Sequence, residues 1–94
     1  MSRSQDLIAV LLDSAAKVDE RDDAAMDLAA FPFADVEAAL LNVAHNLDAP
    51  ELVRASCGAS LAEIWLARGS FPQEILCSLP SPARQEAESL LRRS

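Results

Sequence analysis

The sequence predicts an all-α fold, a short α-solenoid of three antiparallel helical hairpins, with six helices in one domain over residues 1–94. Three observations predict it. The chain holds 18 alanines and 14 leucines but only eight valines and isoleucines together, with no threonine or tyrosine; alanine and leucine favour helix, whereas strands draw on branched and aromatic side chains. Apolar residues recur at helical spacing in six stretches, and the connections of about two to five residues between them force neighbours to pack antiparallel. An arginine-led frame returns in alternate helices at offsets of 33 and 30, and periods of about 30–40 residues holding two helices each belong to stacked helical repeats. The length suits a single domain, the apolar half of the composition excludes simple disorder, and no run of about 18 uncharged apolar residues could span a membrane.

The first helix is expected over about Gln5 to Ala16, capped by Ser4, with Leu7, Ile8, Leu11, Leu12 and Ala15 inward. The second runs from about Glu20 to Ala30. Asp19 is its expected cap, Glu20 and Asp22 suit the positive end of its dipole, and Ala24, Ala25, Leu28 and Ala29 make its apolar face. Phe31-Pro32-Phe33 interrupts the pattern, since proline disfavours helix at the residue before it; the two phenylalanines are expected to pack between repeats. Asp35 is the expected cap of a third helix, about Val36 to Asn46, with Val36, Ala39, Leu40, Val43 and Ala44 as its stripe.

Asp48-Ala49-Pro50-Glu51 reads as a capping box with proline in the first turn, opening a long fourth helix. Cys57, Leu61, Ile64 and Trp65 continue its buried face, and Arg68-Gly69 supplies a basic last turn and a glycine stop. Ser70-Phe71-Pro72-Gln73 reads as a second capping box for a short fifth helix ending near Ser78, with Ile75, Leu76 and Leu79 inward. Ser81-Pro82 opens the sixth, in which Ala87, Leu90 and Leu91 face the core and Arg92-Arg93 suit the C-terminal dipole.

The recurring frame is an arginine, a small residue three on and a leucine seven on. Arg21, Ala24 and Leu28 carry it first, then Arg54, Cys57 and Leu61, then Arg84, Ala87 and Leu91. Gly58, one position beyond the small residue, costs about 1 kcal/mol relative to alanine inside a helix, which points to close contact with a neighbouring helix. Asp48-Ala49-Pro50-Glu51-Leu52-Val53-Arg54, followed by Cys57, Gly58, Leu61 and Ile64, resembles the second helix of a HEAT-type repeat. The resemblance extends over most of the chain as three hairpins, with Arg21 lacking the preceding Val and Pro and the third repeat short, as terminal capping repeats are.

Chemistry-bearing residues are sparse. His45 is the only histidine and reads as a helix-end surface residue. Cys57 and Cys77 lie in apolar stretches and read as reduced core thiols of a cytoplasmic protein. One histidine and two distant cysteines do not make an ordinary zinc site, and two glycines do not make a phosphate loop. The N-terminus, with one basic residue and an apolar stretch broken by Asp13, does not read as a signal peptide. No nucleophile, base and charge-stabilising group come together, so no enzyme, metal or cofactor is expected. Trp65 continues the frame of Leu61 and reads as core.

Charge is the strongest functional signal. The net charge is −7, and Asp13 to Glu51 alone carries ten acidic and two basic residues, a balance of −8. Nucleic acid and anionic membranes are repelled by such a surface, and a basic protein is attracted. Glu20, Asp23 and Asp27 fall within about 60° on the second helix, away from its apolar face, with Asp22 nearby. At the 33-residue offset Ser56, Ser60 and Glu63 are expected to continue the same surface on the fourth helix. Short acidic helical-repeat proteins of this kind resemble bacterial immunity proteins. That resemblance implies a partner-binding face of Glu20, Asp22, Asp23, Asp27, Ser56, Ser60 and Glu63, a basic toxin domain as partner, and inhibition by occlusion of its active site. The other reading of the same features is a scaffold or regulatory adaptor without an inhibitory role.

Overall fold

A computed structural model describes residues 2–70 and 72–93. Among them are six α-helices and no strand: α1 (Arg3–Leu12), α2 (Val18–Asp27), α3 (Ala34–His45), α4 (Glu51–Arg68), α5 (Gln73–Ser78) and α6 (Ala83–Arg93), with a 3₁₀ turn over Leu28–Ala30 tightening the end of α2. The fold is all-α, as the composition predicts. The apolar stripes form the core: Leu11, Ala24, Ala25, Leu28, Val36, Ala39, Leu40, Val43, Ala44, Val53, Cys57, Leu61, Ile64, Trp65, Leu76 and Ala87 are all buried.

Helix ends depart from expectation more than interiors do. Ser2 rather than Ser4 caps α1, its hydroxyl accepting the Gln5 N–H at 3.2 Å, while Ser4 is buried in the first turn. The helix stops at Leu12, four residues early, because the Asp13 carboxylate accepts the Ala15 N–H at 2.9 Å and offers the backbone a competing turn. Ala15 and Leu12 are consequently exposed. Asp19 and Asp35 do not cap. Each lies in the first turn and accepts the N–H of the next residue, Glu20 at 3.0 Å and Val36 at 2.9 Å. The Asp48 capping box does not form either. Pro50 keeps Ala49 out of helix and itself holds the N-cap position of α4. Pro72 likewise holds the N-cap position of α5 with no side-chain cap, so the Ser70 box is absent; its Phe71 lies outside the described residues. Helix α6 starts at Ala83, one residue after the cis Ser81–Pro82 peptide. The C-terminus of α4 is as predicted: Gly69 adopts the left-handed region at φ 85° and donates to Trp65 and Leu66 carbonyls at 3.1 Å.

Each odd-numbered helix packs on the even-numbered helix that follows it, α2 and α6 both pack on α4, and α1 packs on α3. The thinnest dimension of the molecule, 19 Å, is that of two helix layers of about 10 Å each. Helix α4 is therefore flanked on three sides, and it carries the largest buried side chain, Trp65.

The recurring arginines have a common structural role. Arg21 Nε donates to the Leu11 carbonyl at 3.0 Å, in the last turn of α1. Arg54 Nε donates to the Ala49 carbonyl at 3.1 Å, in the loop just ahead of α4, and its Nη1 to Ser81 O at 2.8 Å. Arg84 Nη1 donates to the Cys77 carbonyl at 3.3 Å, in the last turn of α5. Arg21 and Arg84 thus send a cation from the second helix of a pair back to the last turn of the first, where the helix dipole is negative, whereas Arg54 bonds loop carbonyls ahead of α4 and of α6. Arg21 and Arg54 are buried, satisfied by carbonyls rather than by carboxylates. Gly58 sits where α6 comes close to α4: a Cβ there would fall 2.6 Å from Ala83 Cα and 2.7 Å from its carbonyl carbon.

Candidate functional site: the acidic face of α2 and the groove beside α4

Helices α2 and α4 run in the same direction. The Ser56 hydroxyl donates to Asp22 Oδ1, and the Ser60 hydroxyl donates to the Ala25 carbonyl at 2.6 Å, at separations of 34 and 35 residues. These bonds correct the expected surface. Ser60 is buried and Ser56 half-buried between the two helices, so neither extends an exposed face. The reason lies in the stacking itself. At the 33-residue offset Ser56 and Ser60 correspond to Asp23 and Asp27. On α4 those positions look back at α2, whereas on α2 they are exposed. Equivalent positions on stacked helices share a face only when both lie clear of the neighbour. Asp22 is also half-buried, its carboxylate engaged by Ser56.

Glu20, Asp23, Asp27 and Glu63 remain exposed. Asp27 takes an ion pair from Arg3 at 3.4 Å, both partners well exposed; Glu20 and Asp23 have no ion pair among the described residues. At the C-terminal end of α2 the acidic face meets an open groove of about 500 Å³ lined by Met26, Asp27, Ala29, Ala30, Glu63 and Leu66. It brings together two of the expected residues, Asp27 and Glu63, from different helices. Sequence reasoning missed its apolar members. Their signal was available, since Met26 and Leu66 stand off the buried stripes of α2 and α4 and are 50% and 38% exposed. A second groove, of about 400 Å³ between α1 and α3, includes Ile8, Leu12, Ala38 and Asn42.

The remaining chemistry-bearing groups are dispersed. His45 is exposed in the last turn of α3. Cys57 is buried, and burial pushes its thiol up to about 12; the Arg21 guanidinium opposes this and the Asp22 carboxylate reinforces it. Cys77, expected in the core, is exposed on α5 because Leu76 and Leu79 take the inward positions. Both cysteines are free. Trp65 is fully buried, and its indole N–H donates to Glu37 Oε2 at 2.7 Å, an oxygen that also receives Arg68 at 3.2 Å. Glu37, which the sequence did not single out, thereby ties α3 to α4. Phe31 packs against the core but Phe33 is 52% exposed, with ring centroids 6.2 Å apart, so only one of the pair fills the interior. Among the described residues no group of three His, Cys, Asp or Glu side chains is placed to hold a metal ion, and no helix is long and apolar enough to cross a membrane.

No protein-family model matches this chain, and no curated protein or solved structure matches it.

Proposed function

We propose that the chain is a protein–protein interaction module of HEAT-like helical-repeat type, acting as an immunity protein that binds and neutralises a basic toxin domain. One observation carries the reading: Glu20 and Asp23 stand exposed and, among the described residues, without an ion pair beside Asp27, within a segment of net charge −8. Like charges held this close on one helix repel, costing about 0.2–0.5 kcal/mol per pair, and a cationic partner relieves that repulsion. A toxin that acts on phosphate, as a nuclease does, presents a basic active site. Carboxylates laid across that site take the place of phosphates, and the long-range field accelerates encounter.

The test is a charge reversal combined with a protection assay. An immunity gene should lie immediately downstream of its toxin gene, and Glu20→Lys, Asp23→Lys and Asp27→Lys together should abolish protection of the host from that toxin, with the helical circular-dichroism spectrum unchanged. Deleting the gene should be lethal only while that toxin is active. A scaffold would show no toxin-dependent lethality, and full protection by the folded triple variant would sink the reading.

A further inference from the structure

We infer that the groove between α2 and α4 receives an amphipathic basic helix of the partner, apolar side chains on Met26 and Leu66 and lysine or arginine heads at Asp27 and Glu63. This rests on the acidic face being a docking surface, and it adds what kind of element docks. The groove pairs an alanine floor (Ala29 and Ala30) with two half-exposed large apolar side chains and one carboxylate from each helix. Lysine and arginine match that chemistry, because their aliphatic stems lie on apolar surface while their heads seek charge.

The apolar track also has the length of a helix. Leu52, Ala59 and Leu66 are spaced seven apart on α4 and so share one stripe, and Leu52 is 56% exposed. From Leu52 to Leu66 that stripe extends for about 21 Å along the axis. Across the groove on α2, exposed Asp19 and Asp23 precede Met26 by seven and three residues, which places acids alongside the track as well as at its end. An extended apolar line bordered by carboxylates complements a helix with an apolar stripe bordered by cations. The other occupants fit less well. Nucleic acid and anionic lipid are repelled, and a second copy of this chain brings its own charge of −7.

The probes are three fluorescein-labelled peptides titrated with the full chain at low ionic strength. One is a Leu/Lys peptide of about five helical turns with leucines on one face; one has the same composition with leucines scattered; one is oligolysine of equal charge. The facially amphipathic peptide should bind at least about tenfold tighter than the other two, two half-exposed apolar contacts being worth about that much. Met26→Gln with Leu66→Gln should bring it down to their level, and Leu12→Gln in the α1–α3 groove should leave it unchanged. Equal affinity for all three peptides, an unaffected double variant or an equal loss from Leu12→Gln would each overturn the groove assignment while leaving the acidic face standing. Failure of every cationic peptide to bind would instead overturn the acidic face.

Discussion

Cys57 and Cys77 show how far one side chain's chemistry depends on which way its helix faces. Both are expected in the core, yet Cys57 is buried and Cys77 is open to solvent. The thiolate is the reactive form, and burial raises the Cys57 thiol to about 12 from an ordinary 9.0. A thiol reagent should therefore modify one cysteine per native chain and two in denaturant; equal native rates would contradict the burial of Cys57. The same shift has a stability consequence of fixed sign. The unfolded thiol ionises from about pH 9 while the folded one stays protonated, so this group's contribution is intact below pH 9 and is lost as pH rises towards 12. Urea midpoints measured upward from pH 9 should fall more steeply for the native chain than for Cys57→Ala, and parallel slopes would count against it.

At the scale of the element, helix interiors were legible and helix ends were not. An interior is specified by many residues at once: every expected member of the α3 stripe, Val36, Ala39, Leu40, Val43 and Ala44, is buried. An end is decided by one or two hydrogen bonds among near-equivalent choices. Ser2 and Ser4 both flank the start of α1, and Asp19 and Asp35 can each bond the next N–H as readily as they can cap. The arginine frame was visible as a repeat, but its role needed the partner carbonyls, which lie 5 to 10 residues upstream in irregular register. Gly58 was legible because a mid-helix glycine is costly in itself, and the close approach of Ala83 supplies the reason. Gly58→Ala should gain about 1 kcal/mol of helix propensity and lose about 3 kcal/mol to overpacking, the upper end of the usual range because the obstructing atoms are backbone, a net destabilisation of about 2 kcal/mol measurable by urea unfolding. Ala83→Gly should not rescue it, since the atoms in the way are the Ala83 backbone. A neutral or stabilising Gly58→Ala would mean that α4 and α6 are further apart than described.

Across the whole molecule, the excess of negative charge was read directly from the sequence, whereas the groove depends on side chains about 40 residues apart, Met26 and Leu66, that only the stacking of α2 on α4 brings together. Ser56 and Ser60 were misplaced for the same reason: a repeat offset fixes which positions are equivalent, not which of them a neighbouring helix covers. The charge itself has a physical consequence that needs no partner. Ten carboxylates share the segment Asp13 to Glu51 with two cations, one of which, Arg21, is buried and turned to a carbonyl. Against that repulsion stand, among the described residues, three ion pairs, Arg3–Asp27, Arg68–Glu37 and Arg84–Glu88, all partly exposed and each worth at most about 1 kcal/mol. Salt screens both contributions, but ten carboxylates against two cations in that segment leave repulsion the larger. Raising NaCl from about 0.01 M to about 0.15 M shortens the Debye length from about 30 Å to about 8 Å, and the urea midpoint should rise. Glu20→Gln with Asp23→Asn should raise the low-salt midpoint and flatten the salt response, because the repulsion removed is the repulsion that salt screens. A midpoint that falls with salt would show the ion pairs dominating, and the acidic face would then hold no free energy for a cationic partner to release.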